Sequence, residues 1–570
     1  MTADLVVRGG LVVDGTGAPG RIADVAVTDG VIVEVGRVDG AGRREIDADG
    51  AVVAPGFVDI HTHYDGQATW DDSLAPSSAH GVTTVVAGNC GVGFAPVHPG
   101  DRQLLVEVME GVEDLPGSIL DEGLTWEWTS FPEYLDHLEP RRWDIDLATQ
   151  VVHSPIRLHV MGRRGADREP ATDEDIAAMG RLAAEGIAAG ALGFSTSRTA
   201  NHRTSAGDPI PSLDAARAEL VGIAEAVGRT GTGVLQVVSD FADFDDEAET
   251  LVAMMQASGR PLSFSLAQAG RGTGHRRQLA LLDRANAAGL TMRAQVAPRA
   301  VGILVGIQAT VNPLRRLPTY RSMDESMPLA DRAAALAAPD RRTALVAELT
   351  EAGVRIPLDR LYVLGDPPEY EPPASRSAVA LAAAAGVPVV EWLVDALLAD
   401  DGRALLYLPF LNYVDGNLDA VAEMLAHEHT VPGLGDGGAH VGTICDASFP
   451  TTLLTHWCRD RDGRRFDLPW AVHQQARATA EAVGLRDRGL LAPGYKADIN
   501  VIDFDRLRLR PPRIAFDLPA GGRRLLQGAD GYVHTFVSGV ETMADGGPTG
   551  AHPGRLVRHH RPDPSRGARP

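Results

Sequence analysis

Lysine is all but missing from this chain: Lys496 is the one lysine among 53 basic side chains, and the rest are arginine. Cysteine is scarce too. Cys90, Cys445 and Cys458 make up the full complement, too few for a disulfide scaffold and suited to a reducing compartment. No apolar run approaches the ~18 residues that a membrane-spanning helix requires. The opening MTADLVVRGG lacks the basic stretch and apolar segment of a secretory leader. A cytoplasmic protein without a membrane partner is therefore expected. Positive charge is in deficit, with a formal net charge of -23. That balance repels polyanions, and no local basic patch offsets it, so nucleic acid is not an expected partner.

What remains is an ordinary globular composition, 44% hydrophobic and 23% charged, in a chain of 570 residues that is too long for one small core. Residues 1–55 alternate with a period of two, as in IADVAVTDGVIVEV, where TDG reads as a hairpin turn. The same character returns over 491–545, in KADINVIDF and GYVHTFVSGVETM. Two β-rich ends, each too small to fold alone, are expected to pair in a composite β-sandwich. From 56 to 490, short apolar runs alternate with helical stretches, the pattern of repeated βα units. Nine candidate strands compete for eight places: 57–60, 83–88, 148–153, 191–195, 232–238, 261–266, 290–296, 405–410 and 431–436. TDEDIAAMGRLAAEGIAAG reads as a helix capped by Thr172 and closed by Gly190. The fold class is thus α/β, a (β/α)8 TIM-type barrel with a small β-sandwich from both ends. Residues around 300–400 are irregular and proline-marked, as in PPEYEPP, and read as an excursion from the barrel. Residues 546–570, ending HHRPDPSRGARP, read as a polar, disordered tail.

Barrel strands deliver their chemistry at their C-terminal ends. In GFVDIHTHYDGQ (56–67), His61 and His63 follow the first candidate strand with even spacing, so both point the same way in an extended segment. Alone, an HxH pair is most often two ordinary surface histidines. Here the flanks matter. GFVDIHTH with Asp65, after a β-rich N-terminal segment, closely resembles the start of the amidohydrolase superfamily barrel. GVTTVVAGNCGVGFAP resembles the second strand of that superfamily's N-acyl-D-amino-acid deacylase (D-aminoacylase) branch. LGDGG (434–438) resembles the eighth-strand aspartate motif, and GLRDRGLLAPGYKADINVID the return into the composite β domain. The resemblance covers about residues 5–545, with the motifs in the same order.

The resemblance implies a zinc-dependent hydrolase of small-molecule amides. Metal ligands would stand at the barrel mouth, and Asp436 would act as proton shuttle, as ligand, or as both. The physical logic agrees. Amide hydrolysis is slow because water is a weak nucleophile and the amine a poor leaving group; Zn2+ lowers the pKa of bound water from 15.7 to roughly 7 and polarises a carbonyl. A nearby carboxylate can then move the proton to nitrogen. Many amidohydrolases bridge two metals through a carboxylated lysine, which this chain excludes, since Lys496 lies in the return motif. The deacylase branch implies instead a strand-two cysteine ligand, and Cys90 stands at that position. A free cysteine is more often a small buried hydrophobe, the reading kept for Cys445 and Cys458.

The chain departs from the branch in its middle strands, and also in the branch's tyrosine-bearing segment after the next strand, which here reads QVAPR and ends in Arg299. Deacylases carry a histidine at the end of strand five and another at the end of strand six. Here those strands read VLQVVSDF and SFSLAQAG. Gln236, Val238 or Ser239 takes the first position and Leu266 or Gln268 the second, and none is a good zinc ligand. His440, Asp446, His153 and His202 are candidate replacements, each alone more simply read as a structural side chain. The expected centre holds one divalent ion, most simply Zn2+, on His61, His63, Cys90 and Asp436, with His440 as an addition. Arg198, Arg203 and Arg299 stand on expected mouth loops, where a substrate carboxylate favours a bidentate guanidinium, and Arg198, His202 and Arg299 are the candidate substrate-binding residues.

Two further readings stay open. One is a barrel of the same fold that binds without hydrolysing, in keeping with the missing middle histidines. The other is a different metal-assisted reaction on the same scaffold. The density of ionisable residues in HTHYD, NCG and GDGGAH favours an enzyme. The sequence is compatible with a homo-oligomer and does not specify one.

Overall fold

The structure is a computed structural model that describes residues 2–270, 272–324 and 326–559. Its centre is a ring of parallel strands: Phe57–Asp59, Val82–Ala87, Asp146–Thr149 continued by Val151–Val152, Gly193–Arg198, Val234–Ser239, Leu262–Leu266, Met292–Val296 and Thr430–Pro432. Neighbours pair in parallel from the first to the third and from the third to the eighth. Past the strand ends, Thr62 and Gly437 form a parallel bridge that brings the eighth back to the first. The arrangement is TIM-barrel-like, and its strands are apolar and buried because helices cover the outer face.

Eight of the nine candidate strands take part. The surplus one is LLYLPF. Leu406–Leu411 pairs antiparallel with Val301–Val305 and Tyr362–Val363 in a separate three-stranded sheet. An apolar run buried on both faces reads alike in either setting, so periodicity could not tell them apart. Helices such as Pro339–Ala352 and Val389–Leu398 pack beside that sheet around a cluster containing Val305, Leu336, Leu345, Leu393 and Leu397. The excursion therefore owns an apolar core.

Local signals hold where their chemistry is complete. Thr172 caps helix Asp173–Ala189 through the amide of Asp175, whose carboxylate returns the bond, and Gly190 ends the helix at φ 123°. Asp29 (φ 51°) and Gly30 (φ 74°) make the tight turn between Arg21–Thr28 and Val31–Gly36.

The two chain ends build one nine-stranded sheet, in which Val52–Pro55 pairs parallel with Leu5–Val12 and antiparallel with Ile499–Ile502. In place of two facing sheets, the edge strand Val31–Gly36 bonds back to the segment before Ile499: Ile32 donates to the Tyr495 carbonyl and Ala497 to that of Gly30, each at 2.9 Å. The sheet thereby encloses Leu5, Val25, Ile32, Val53, Ile499 and Phe536. Gly56 then leads straight into the first barrel strand. A Cβ there would lie 2.1 Å from Thr83 Oγ1, so only glycine permits this join.

The polar-tail reading is corrected over 546–559. Gly547–Pro548 is an edge strand, Gly554 and Leu556 bridge Trp143 and Leu147, and Val557 is 2% exposed. The apolar pair Leu556–Val557 holds the segment against the barrel. Residues 560–570, to which the disorder expectation also applied, lie outside the described residues. Among the described residues, no single helix is long and apolar enough to cross a membrane.

Candidate metal centre

Both histidines of the opening motif sit at the mouth, fully buried. The Nδ1 of His61 lies 2.6 Å from Gln295 Oε1 on the seventh strand. An amide oxygen only accepts, so Nδ1 carries the proton and Nε2 keeps its lone pair. That Nε2 stands 3.2 Å from Cys90 Sγ and 3.4 Å from Asp436 Oδ1. Burial drives the His61 pKa down to about 4, which keeps the ring neutral and able to ligate. His63 places Nε2 3.7 Å from the same Asp436 oxygen and Nδ1 3.2 Å from Glu113 Oε1.

Cys90 is carried by the turn after the second strand, with φ at 56°, and its amide donates to Gln236 Oε1 at 3.2 Å. Asp436 (φ 47°) and His440 (φ 50°) hold the same left-handed conformation, which costs a non-glycine residue roughly 1 kcal/mol or more. Three such residues in two facing loops require surroundings that fix them. Those surroundings are visible: the Asp436 amide donates to the His61 carbonyl at 2.9 Å and the His63 amide to the Gly437 carbonyl at 2.7 Å. Gly437 is obligatory in that lock, because a Cβ would lie 2.4 Å from Ser77 Oγ and 2.7 Å from the Tyr64 hydroxyl.

Among the described residues, ligand atoms of His61, His63 and Cys90 lie within 4.8 Å of one another, with Asp436 Oδ1 facing both imidazoles. Asp436 Oδ1, His63 Nδ1 and both Glu113 carboxylate oxygens are buried with no hydrogen-bond partner. Buried polar atoms are normally satisfied, so a cluster of orphans around two imidazoles and a thiol fits a cation. Burial pushes the Cys90 thiol up to about 12, and a neighbouring cation is what would hold it as thiolate. Two nitrogens, one sulfur and one carboxylate oxygen make a donor set suited to Zn2+.

Other expectations need correction. His440 does not join the ligand atoms: its amide donates to the Glu113 carbonyl, and its Nε2 faces Glu113 Oε2 at 3.7 Å. Arg198 gives Nε to both Glu247 oxygens at 2.9 Å and Nη1 to the Ala215 carbonyl at 2.6 Å, so it is committed to a helix and not to the mouth. Arg299 is buried, donating to Asp446 Oδ1 at 2.7 Å, the Cys445 carbonyl at 2.6 Å and Ser448 Oγ at 2.8 Å, and it stacks on Tyr370 at 3.6 Å. That network takes Asp446 out of contention as well. His153 is a core residue between Thr196 (2.8 Å) and Glu219 (3.0 Å). His202 does lie at the mouth, its Nδ1 2.8 Å from Ser197 Oγ. Burial and then the neighbouring charge of His440 and His63 push it down to about 3, so it stands there neutral.

Sequence reasoning missed Glu113 and Gln295. Each carried a signal: an acid at a helix C-terminus opposes the helix dipole, and a glutamine in the apolar strand MRAQV needs a partner. Among the described residues, no further imidazole joins His61, His63 and Cys90 in place of the missing pair. Gln236 is bound to the Cys90 amide, Leu266 is buried among apolar residues, and Gln268 donates to Asp415 at 2.6 Å.

Residues 44–543 match the amidohydrolase family. The chain belongs to the amidohydrolase family. Within it, N-acyl-D-glutamate deacylase of Alcaligenes xylosoxydans xylosoxydans is 27% identical over 97% of this chain and 96% of its own length. D-aminoacylase of the same organism is 39% identical, over 34% of this chain and 37% of its own length. A solved D-aminoacylase, described through its binuclear metal centre with one-metal activation and second-metal attenuation, is 26% identical, with a TM-score of 0.65 over 98% of this amidohydrolase and all of that chain. Those structural neighbours bind metal ions. The TIM-barrel-like fold is therefore shared with these neighbours.

Proposed function

We propose that this amidohydrolase is a deacylase of N-acyl amino acids or related small amides, with the D-configured substrates of its relatives as the first class to try, working with one divalent cation. The observation that carries the reading is the cluster of His61, His63 and Cys90 ligand atoms, with Asp436 Oδ1 facing both imidazoles. Zn2+ held by His61, His63, Cys90 and Asp436 would supply Lewis acidity toward the amide carbonyl and a more acidic water at neutral pH.

The chain's own residues do the rest. Burial opposes the charge on Asp436, but the contact with His63 and the charge of that ring outweigh it and keep the carboxyl well below the usual range. It is therefore ionised at neutral pH and able to take a proton from the attacking water. Once protonated, a carboxyl held that low is a strong acid, and it passes that proton readily to the departing nitrogen. Gln295 holds His61 in the tautomer that this geometry needs. The relative with one-metal activation supports a single-ion reading, because the strand-five and strand-six positions here offer no imidazole.

Metal analysis of the purified chain, together with turnover of N-acyl-D- and N-acyl-L-amino acids, cyclic amides and ureas, tests this. Hydrolysis of one class that is lost on chelation supports it. A stoichiometric cation without turnover of any class favours the binding-protein reading, for which the absent middle histidines speak.

A further inference from the structure

Glu113 ends helix Arg102–Glu113, well outside the motifs of the barrel strands, and yet its carboxylate is 1% exposed. Oε1 faces His63 Nδ1 at 3.2 Å and Oε2 faces His440 Nε2 at 3.7 Å. Neither oxygen has a hydrogen-bond partner, and neither has His63 Nδ1, since the close approach is off the bonding angle. Leaving a carboxylate in that state opposes folding. The next residue anchors the same loop. Asp114 (φ 51°) accepts from Thr443 Oγ1 at 2.5 Å, the Gly442 amide at 3.2 Å and Thr310 Oγ1 at 3.0 Å. Glu113 and Asp114 thus reach from the strand-two region across to the loop that carries Asp436 and His440.

We infer that Glu113 is the positioning residue of the metal centre. Its carboxylate faces the Nδ1 side of His63 at 3.2 Å, within bonding reach though not aligned for a bond, so that Nε2 is the nitrogen offered toward Asp436 and the cation. Gln295 stands on the same side of His61 with its bond made. A buried imidazole that ligates through one nitrogen needs its other N–H held, and a carboxylate there both fixes the ring and strengthens it as a donor. The asymmetry is chemical: an amide orients His61, a full negative charge orients His63. Because a cation would balance that charge, Glu113 favours the loaded state at the expense of the empty fold. The inference rests on the metal-centre reading above.

The test is titration of the cation-free full chain with Co2+, followed by calorimetry and by the visible spectrum, for the parent, Glu113→Gln and Glu113→Leu. Glutamine keeps an accepting oxygen, and its Co2+ affinity should fall roughly tenfold. Leucine keeps only the volume, and its affinity should fall towards roughly 100-fold, with shifted Co2+ bands. The cation-free Leu variant should melt no lower than the parent, because an unpartnered carboxylate has been removed. Co2+ binding within twofold of the parent in the Leu variant overturns the role and leaves the site intact. A lower melting point of the cation-free Leu variant makes Glu113 a structural brace and also overturns it. If the parent itself takes up no Co2+, the metal-centre reading falls, and this inference with it.

Discussion

At the scale of single residues, the account turns on what each buried polar atom faces. Asp436→Asn keeps the shape and removes both the base and an anionic ligand, so kcat should fall by roughly 10²- to 10⁴-fold and metal affinity should weaken as well. Steady-state kinetics beside metal analysis checks both halves; unchanged kcat would remove Asp436 from proton transfer. Gln295→Leu should act more mildly, freeing the tautomer of His61 and weakening metal affinity roughly 10- to 100-fold, which equilibrium dialysis measures. His61, His63, Cys90 and Asp436 could be read from the sequence because spacing and flanking motif place them at strand ends. Arg198, Arg299 and His440 could not, because what decides their roles is a partner far along the chain. Glu247, Asp446 and Glu113 respectively engage them, and no local pattern records that.

At the scale of elements, the excursion is secured by one carboxylate. Glu371, in PPEYEPP, faces His456 Nε2 at 2.8 Å, accepts from Arg461 Nε at 2.9 Å, and accepts from the Leu418 amide at 2.8 Å. Burial opposes its charge, but these bonds prevail and hold its pKa at about 2 against an ordinary 4.5. A depressed carboxyl stabilises the fold above its unfolded pKa and loses that contribution as pH falls through the folded value. Glu371→Gln should therefore cost on the order of 3 kcal/mol at neutral pH, because each tenfold change in proton affinity between the folded and unfolded chain is worth about 1.4 kcal/mol. The deficit should shrink below pH 4.5 and vanish near 2. Denaturant melts of parent and variant across that range show it; a pH-independent difference would contradict it. The strands were legible in the same uneven way. Eight were found from apolar runs between turn signals, and the ninth, Leu406–Leu411, was indistinguishable because burial on both faces erases the period.

At the scale of the whole molecule, both chain ends serve the barrel. The nine-stranded sheet feeds Gly56 into the first strand, and residues 554–557 run back against the third. Val557→Asp should bury an unpaired charge and lower the thermal transition by several degrees, with activity at low temperature preserved. A scan of both proteins checks this, and an unchanged transition would make that segment dispensable. The polar composition of the last residues hid this docking, since two apolar residues in a charged stretch carry little pattern.

The ring of strands, the join at Gly56 and the lock between residues 61–63 and 436–437 all converge on one claim, that His61 and His63 hold a divalent cation. Metal content of the purified parent and of His61→Ala/His63→Ala decides it. The account predicts about one equivalent in the parent and a stoichiometric loss in the double variant. A parent free of stoichiometric metal, or a double variant that retains it, would contradict the account.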